Sequence, residues 1–486
     1  MSKAAAVIVA GGLLGAAVIF IVGGFRMAAK GGDCTDSCLP GHNAVNTWAL
    51  CLTVAGIAAA AAAITWAVRG GTFRARWLPL LLAAGALAAL WPAGAWQRSI
   101  PSPTYAVGWR ATEDRPDTTR GLGNWAADDT VVRARVDGLS GFAVRDGKER
   151  WVYQAPARQS VCAMSTRTAM GLGVIGLGRH GKPCATVAAV RLGTGKVLWT
   201  QRLATDIWSS DSVGRIALAD TTAVAVEAGA VRGFSAESGK QRWKRTVGED
   251  CGVLDVDASA RRAVFVEECD TPKDEVRHRI VAVDAATGKE LWNTRLPTET
   301  RLADLRMISA EPAVIRLKES DERGVNAVLA FDDRGRPGMN LPLSGRAGNL
   351  AFTEGTSLLV KAAPDVFVAH GTLVTGVRMP EESDTRWIAG FRLTDGRRVW
   401  LRRLSLPVSS LARRGAGQVA AIGQDYEGSR IWVLDTRTGA DAVKPLPVIG
   451  KKIPTSYERE LLPVDDGYVV ANTEASYGSP PFFRVR

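Results

Sequence analysis

Histidine is scarce in this 486-residue chain, and what little there is excludes a good deal. The four residues His42, His180, His278 and His370 are nowhere spaced as a metal pair, and no Gly-x-Ser-x-Gly elbow is present. Zinc-hydrolase and serine acyl-transfer readings therefore lack their basic motifs. No two cysteines are adjacent and asparagine is rare. Charge is missing altogether from Ala4 to Gly24, from Thr47 to Val68 and from Trp77 to Trp96. At helical rise each of these runs spans about 30 Å, the thickness of a bilayer's hydrocarbon layer. The sequence thus predicts three transmembrane α-helices, at about 4–24, 47–68 and 77–96.

Orientation follows from the short loops. Arg69, Arg74 and Arg76 lie between the second and third spans with no acidic partner, which predicts that loop to be cytoplasmic. The N-terminus with Lys3 is then inside, the loop from Arg26 to Asn46 outside, and everything beyond Trp96 outside. Asp33 and Asp36 offset Arg26 and Lys30 in the outer loop. A cleaved signal peptide is the alternative for the first span, although its apolar run exceeds the usual length and no clean small-x-small site precedes Lys30. Residues 98–103, with two prolines, read as a linker, and 104–486 as the domain presented outside a cell membrane that the chain crosses several times.

That domain is repetitive. A β-branched or aromatic run, a polar turn ending in glycine, a basic residue and then tryptophan recur, as in Ile280-Val-Ala-Val-Asp-Ala-Ala-Thr-Gly288-Lys-Glu-Leu-Trp292. The turn glycines are Gly147, Gly195, Gly239, Gly288, Gly335, Gly396 and Gly439, at spacings of 48, 44, 49, 47, 61 and 43 residues. Such a period marks one supersecondary unit copied many times. The apolar runs fill odd and even positions alike, so both faces of each strand are expected to be buried. The turns read as hairpins, which predicts antiparallel four-stranded sheets arranged radially, an all-β propeller. Gly467–Ala471 and Phe482–Arg486 offer strands at one end, and Thr104–Trp109 offers an unpaired strand at the other. If the first strand completes the last blade, the ring closes with eight blades and no open edge. Seven blades is the alternative, because the stretch from Phe352 to Arg386 reads either as an insertion or as a degenerate unit.

The repeated Asp/Ala-x-Thr-Gly-Lys-x-x-Trp phrase resembles that of the pyrroloquinoline-quinone-binding-like, or quinoprotein-dehydrogenase-like, propellers over about residues 104–486. The resemblance implies that Trp151, Trp199, Trp243, Trp292 and Trp400 wedge between adjacent blades. Met339 and Val443 stand where the fifth and seventh units would carry Trp. It also implies an enzymatic alternative, since quinoprotein dehydrogenases of this fold hold the quinone (PQQ) against Ca²⁺ with Glu, Asn and Asp oxygens, stack it on a Trp and cover it with a disulfide between neighbouring cysteines. This chain has no such pair, and no cofactor is predicted for it.

Four of the seven cysteines fall in the propeller, Cys162 with Cys184 and Cys251 with Cys269. Each couple begins a unit and brackets one hairpin, which predicts two local disulfides and an oxidising compartment. Buried thiols are the alternative. Cys34, Cys38 and His42 are too few for a closed metal site, and Pro40-Gly41 breaks helical spacing, so no metal is predicted there. Gly171-Leu-Gly173-Val-Ile-Gly176 fits a dinucleotide fingerprint only in letters, lacking the strand–helix context.

Net charge is +12, of which residues 1–97 supply six basic against two acidic side chains. The cluster Arg397, Arg398, Arg402, Arg403, Arg413 and Arg414 is the best candidate for an anion-binding patch, with solvated blade edges as the plainer reading. Basic and acidic residues are intermixed, so nucleic acid is not an expected partner. The reading that results is a non-catalytic binding or scaffolding module that holds a protein or envelope polymer at its loop face. The alternative is a membrane-bound PQQ-dependent oxidoreductase.

Overall fold

The chain divides into two compact units, Met1–Pro103 and Thr104–Arg486. The structure, a computed structural model, describes residues 105–486 except 117–118, 120, 180–181, 206–215, 273–274, 346–347, 353–365, 416, 426–428, 450–458, 466 and 473–479. The three expected spans and the Cys34–His42 segment lie outside the described residues. Among the described residues, no helix is long and apolar enough to cross a membrane.

Eight four-stranded antiparallel blades form the second unit: 121–154, 160–202, 216–246, 251–295, 302–342, 349–403, 408–449, and 459–485 completed by Tyr105–Arg110. Burial on both strand faces is what makes blades stack. In the third strand of blade four, Val276–Asp284, Val281 and Val283 pack with blade three around Trp243. Ile280 and Ala282, one position out of phase, pack with blade five around Trp292 and Phe331. Successive side chains of a strand point to opposite faces, so an unbroken apolar run supplies two neighbours at once.

Ring closure uses the chain's first strand. Tyr105–Arg110 pairs antiparallel with Phe482–Val485, Val107 facing Val485 and Arg110 facing Phe483. It also pairs in parallel with the outer strand of blade seven, Tyr105 facing Val448 and Ala106 facing Ile449. Blades seven and eight thus form one eight-stranded sheet, and their outer edges cover each other. Eight blades follow, and the seven-blade alternative does not hold. The irregular 61-residue gap is an interruption in blade six, where Asn349–Ala351 and Val366–Ala369 both pair with Thr372–Arg378.

Register shifts recur near the start of the inner strands, between Gly121 and Gly123, Val161 and Ala163, Val253 and Asp255, Leu302 and Asp304, and Val408 and Ser410. A bulge re-aims the side chain beside it. Here the re-aimed side chains tie neighbouring blades together: Met307 donates its N–H to Asp255 Oδ2 at 2.8 Å, and Leu461 donates to Ser410 Oγ at 3.2 Å. Gly171–Gly176 runs into the second strand of blade two, Leu172–Gly178, and forms no dinucleotide loop.

The two rims of the ring differ. One carries the turn between the third and outer strands of blades one to seven, tight enough to need glycine at φ near +70°. The other carries the connectors between blades and the turns between second and third strands, among them 320–325 and 379–386.

Candidate functional site at the blade joints and on blade four

Each joint is built from an outer-strand side chain of one blade and the glycine turn of the next. Trp151 donates its indole N–H to Leu192 O at 3.0 Å, Trp199 to Ala236 O at 2.7 Å, Trp243 to Ala285 O at 2.9 Å and Trp400 to Thr436 O at 3.0 Å. In every case the acceptor lies three residues before the turn glycine. A Cβ on Gly195 would come within 2.4 Å of the Trp151 ring, so only glycine allows the contact. The residue opposite the tryptophan within its own blade is Gly141, Ala189, Gly233, Ala282 or Gly390, small enough for the ring to lie over it.

Trp109 makes the same contact, donating to Val144 O at 2.8 Å beside Gly147. Sequence reading missed it because this strand sits at the far end of the chain from its own blade. The joint at Trp292 differs. Gly335 N–H donates to Asp332 O, three residues back, where the Gly288 N–H donates to Asp284 O, four back. With that carbonyl engaged, the Trp292 indole N–H has no acceptor among the described residues; the ring stacks on Phe331 at 6.2 Å instead. Val443, 42 % exposed, has no counterpart turn to dock on, because in blade eight the third and outer strands are opposite ends of the chain.

Both disulfides lie toward the connector rim. Cys251 and Cys269 face each other across the inner hairpin of blade four, with Cα atoms 4.0 Å apart. Cys162 and Cys184, 5.9 Å apart at Cα, also bracket an inner hairpin, but not as facing partners across two strands. Cys162 sits in the inner-strand bulge and Cys184 just before the third strand, so the bridge crosses the middle strand over Gly176, where a Cβ would meet the Cys184 sulfur at 2.6 Å.

Blade four concentrates the titratable groups. His278 is fully buried, with Nε2 2.9 Å from Glu268 Oε2 and Nδ1 2.9 Å from Thr298 Oγ1. The Glu268 carboxylate accepts from the Nε2–H, and Nδ1 shares a hydrogen bond with the Thr298 hydroxyl. Hydroxyl, imidazole and carboxylate thus stand in the order used for nucleophilic catalysis. Thr298, only 3 % exposed, lies in the wall of a hollow of about 600 Å³ formed with Phe331 and Met339. What the trio does structurally is fix the connector from blade four to blade five, where Leu296 N–H also donates to His278 O at 2.9 Å. Burial pushes Glu268 up, but hydrogen bonding and charge from His278 and Arg301 outweigh it and hold the carboxyl below its usual range. On the inner strand, burial drives Asp255 up to about 7. Asp257 is also raised by burial, against a hydrogen bond from Thr166 at 2.9 Å.

The arginine cluster of the sequence is not one patch. Arg402 pairs with Asp441 at 2.6 Å and Arg403 with Glu382 at 3.3 Å. Arg413 lies over Phe367, and Arg414 donates to the Tyr468 hydroxyl at 2.9 Å. Neighbours along a strand face opposite ways, which disperses the charge. Among the described residues no three His, Cys, Asp or Glu side chains converge in a way that could hold a metal ion. Hard cations need several convergent oxygens.

Solved structures similar to this chain include BamB from Moraxella catarrhalis, 15 % identical, covering 75 % of this chain and 93 % of that one with a TM-score of 0.41. Quinohemoprotein alcohol dehydrogenase from Comamonas testosteroni is 11 % identical, covering 78 % and 75 %, with a TM-score of 0.45. The computationally designed Ika8 protein is 13 % identical, covering 78 % and 98 %, with a TM-score of 0.48. No curated protein matches the chain. One family's sequence pattern matches residues 183–400 and again 227–447, together more than half the chain; the chain belongs to that family, described as outer membrane protein assembly factor BamB.

Proposed function

We propose that this chain is a membrane-anchored, extracytoplasmic propeller that binds another envelope protein or an envelope polymer at its connector rim without transforming it chemically. The observation that carries the reading is the unequal build of the two rims. One carries the glycine turns between third and outer strands, while the other carries the connectors between blades and both disulfides. Loops held on a rigid scaffold are where binding residues concentrate. Disulfides persist in oxidising compartments, in keeping with a propeller outside the membrane. The family's description, an outer membrane assembly factor, points the same way.

Cross-linking in native membranes followed by identification of what is captured tests the role. A protein or polymer cross-linked through residues 320–325 or 379–386 supports it, and capture confined to the turn rim contradicts it. Adding the quinone and Ca²⁺ to the purified chain is the second arm, where dye reduction with an alcohol or sugar would replace this reading with an oxidoreductase. Protease applied to intact cells should remove the chain beyond Trp96; a protected propeller would reverse the topology.

A further inference from the structure

On blade four, the face turned toward blade three carries three arginines in mutual register. Arg279 stands opposite Arg295 on the neighbouring outer strand, and Arg277 is two residues from Arg279 on the same face. They line a cleft of about 570 Å³ together with Cys269, Asp270 and Glu275. Like charges directly opposite each other across a sheet destabilise it. The local carboxylates relieve only part of that repulsion. Arg279 pairs with Glu267 at 2.6 Å, and Asp270 is engaged by Arg301 at 2.7 Å. Glu275 lies 3.9 Å from Arg277, at the limit of an ion pair. No carboxylate among the described residues lies within ion-pair distance of Arg295. The side chains of Arg277 and Arg279 are 54 % and 44 % exposed, so their donors reach solvent.

We propose that this cleft binds a phosphoryl oxyanion, either a free phosphate species or the phosphate of a lipid headgroup. The guanidinium fork matches two oxygens of such a group, and a multiply charged anion between Arg277, Arg279 and Arg295 offsets the repulsion the fold otherwise carries. The neighbouring Cys251–Cys269 disulfide holds the end of the inner hairpin from which the cleft wall extends. The inference goes beyond the binding-module reading and does not depend on which partner that module holds.

The test uses the full chain purified in detergent, with two probes: inorganic pyrophosphate and vesicles containing phosphatidylglycerol. Pyrophosphate is titrated calorimetrically and by thermal melting, and vesicles by co-flotation. The wild type should respond to at least one probe, with affinity falling as salt rises, and the responding probe identifies the source. Arg295→Gln should weaken binding at least tenfold while leaving the melting temperature without ligand unchanged or higher, because it removes a like-charge contact. A purely structural Arg295 would instead lower it. Arg277→Gln, at a more exposed position, should weaken binding as well. Response to neither probe overturns the proposal, as does an equal response in both variants.

Discussion

Met339 lies against Gly396 where five other joints place an indole donating to a carbonyl, and its backbone N–H donates to Leu393 O at 2.8 Å. The acceptor three residues before the turn glycine is thus satisfied by main chain instead of a side chain. The joint survives loss of the tryptophan because Met339, 1 % exposed, still fills the gap.

Joint residues should therefore differ sharply in cost. Trp199→Ala removes a buried ring and its hydrogen bond and is expected to lower stability by ~3 to 5 kcal/mol. Val443→Ala, at a position with no turn to dock on, should change it by less than about 0.5 kcal/mol. Denaturant unfolding of the two variants side by side measures the difference.

Two glycine substitutions separate strain from collision. Gly229 has φ +66° and nothing within 4 Å of a new Cβ, whereas Gly195 has φ +70° and the Trp151 ring 2.4 Å away. Gly229→Ala should cost about 1 kcal/mol, from left-handed strain alone. Gly195→Ala should cost clearly more, and equal melting temperatures would contradict the joint geometry.

Both disulfides close short loops, with sequence separations of 22 and 18. Each is expected to contribute ~3 kcal/mol. Alkylation under denaturing conditions without reductant should leave Cys162, Cys184, Cys251 and Cys269 unlabelled in peptide mass spectra, and reduction should expose all four.

Asp255 predicts a particular pH dependence. Burial raises its folded-state value to about 7 from 3.8, so between these limits the folded chain holds a proton that the unfolded chain releases. Stability from this group falls as pH rises through that window. Asp255→Asn should reduce the decline, leaving the part that Asp257 contributes, while keeping an acceptor for the Met307 N–H. On the acid side the sign reverses. Burial pushes Glu319 up, but N–H donors from Thr300, Val325 and Glu299 outweigh it and hold the carboxyl low, so its contribution is lost as pH falls. That acid limb should persist in the variant. Thermal melts from pH 4 to 8 decide it.

The ring was legible because Gly147, Gly195, Gly239, Gly288, Gly335, Gly396 and Gly439 share one backbone requirement, and a repeated requirement leaves a period in the chain. Closure was legible from the strands left over at the two ends. What did not show is whatever depends on pairing between strands. His278 meets Glu268 and Thr298 at separations of 10 and 20 residues, set by hairpin register and by no local motif. The bulge that lets Cys162 reach over the middle strand is likewise a property of register. The arginine cluster misled for the opposite reason, since closeness in sequence along a strand places side chains on opposite faces.

The strand shared by Val107 with Val485 imposes an order of events. Tyr105–Arg110 is synthesised before any blade, yet its partner Phe482–Val485 emerges only after all the others. The ring must therefore stay open throughout translation of the propeller, and its last step is a contact between residues more than 370 positions apart in sequence. Closing so long a loop is slow compared with forming any single blade. The exposed edges of blades one and eight are consequently most open to capture by chaperones or neighbouring chains in the interval just before release.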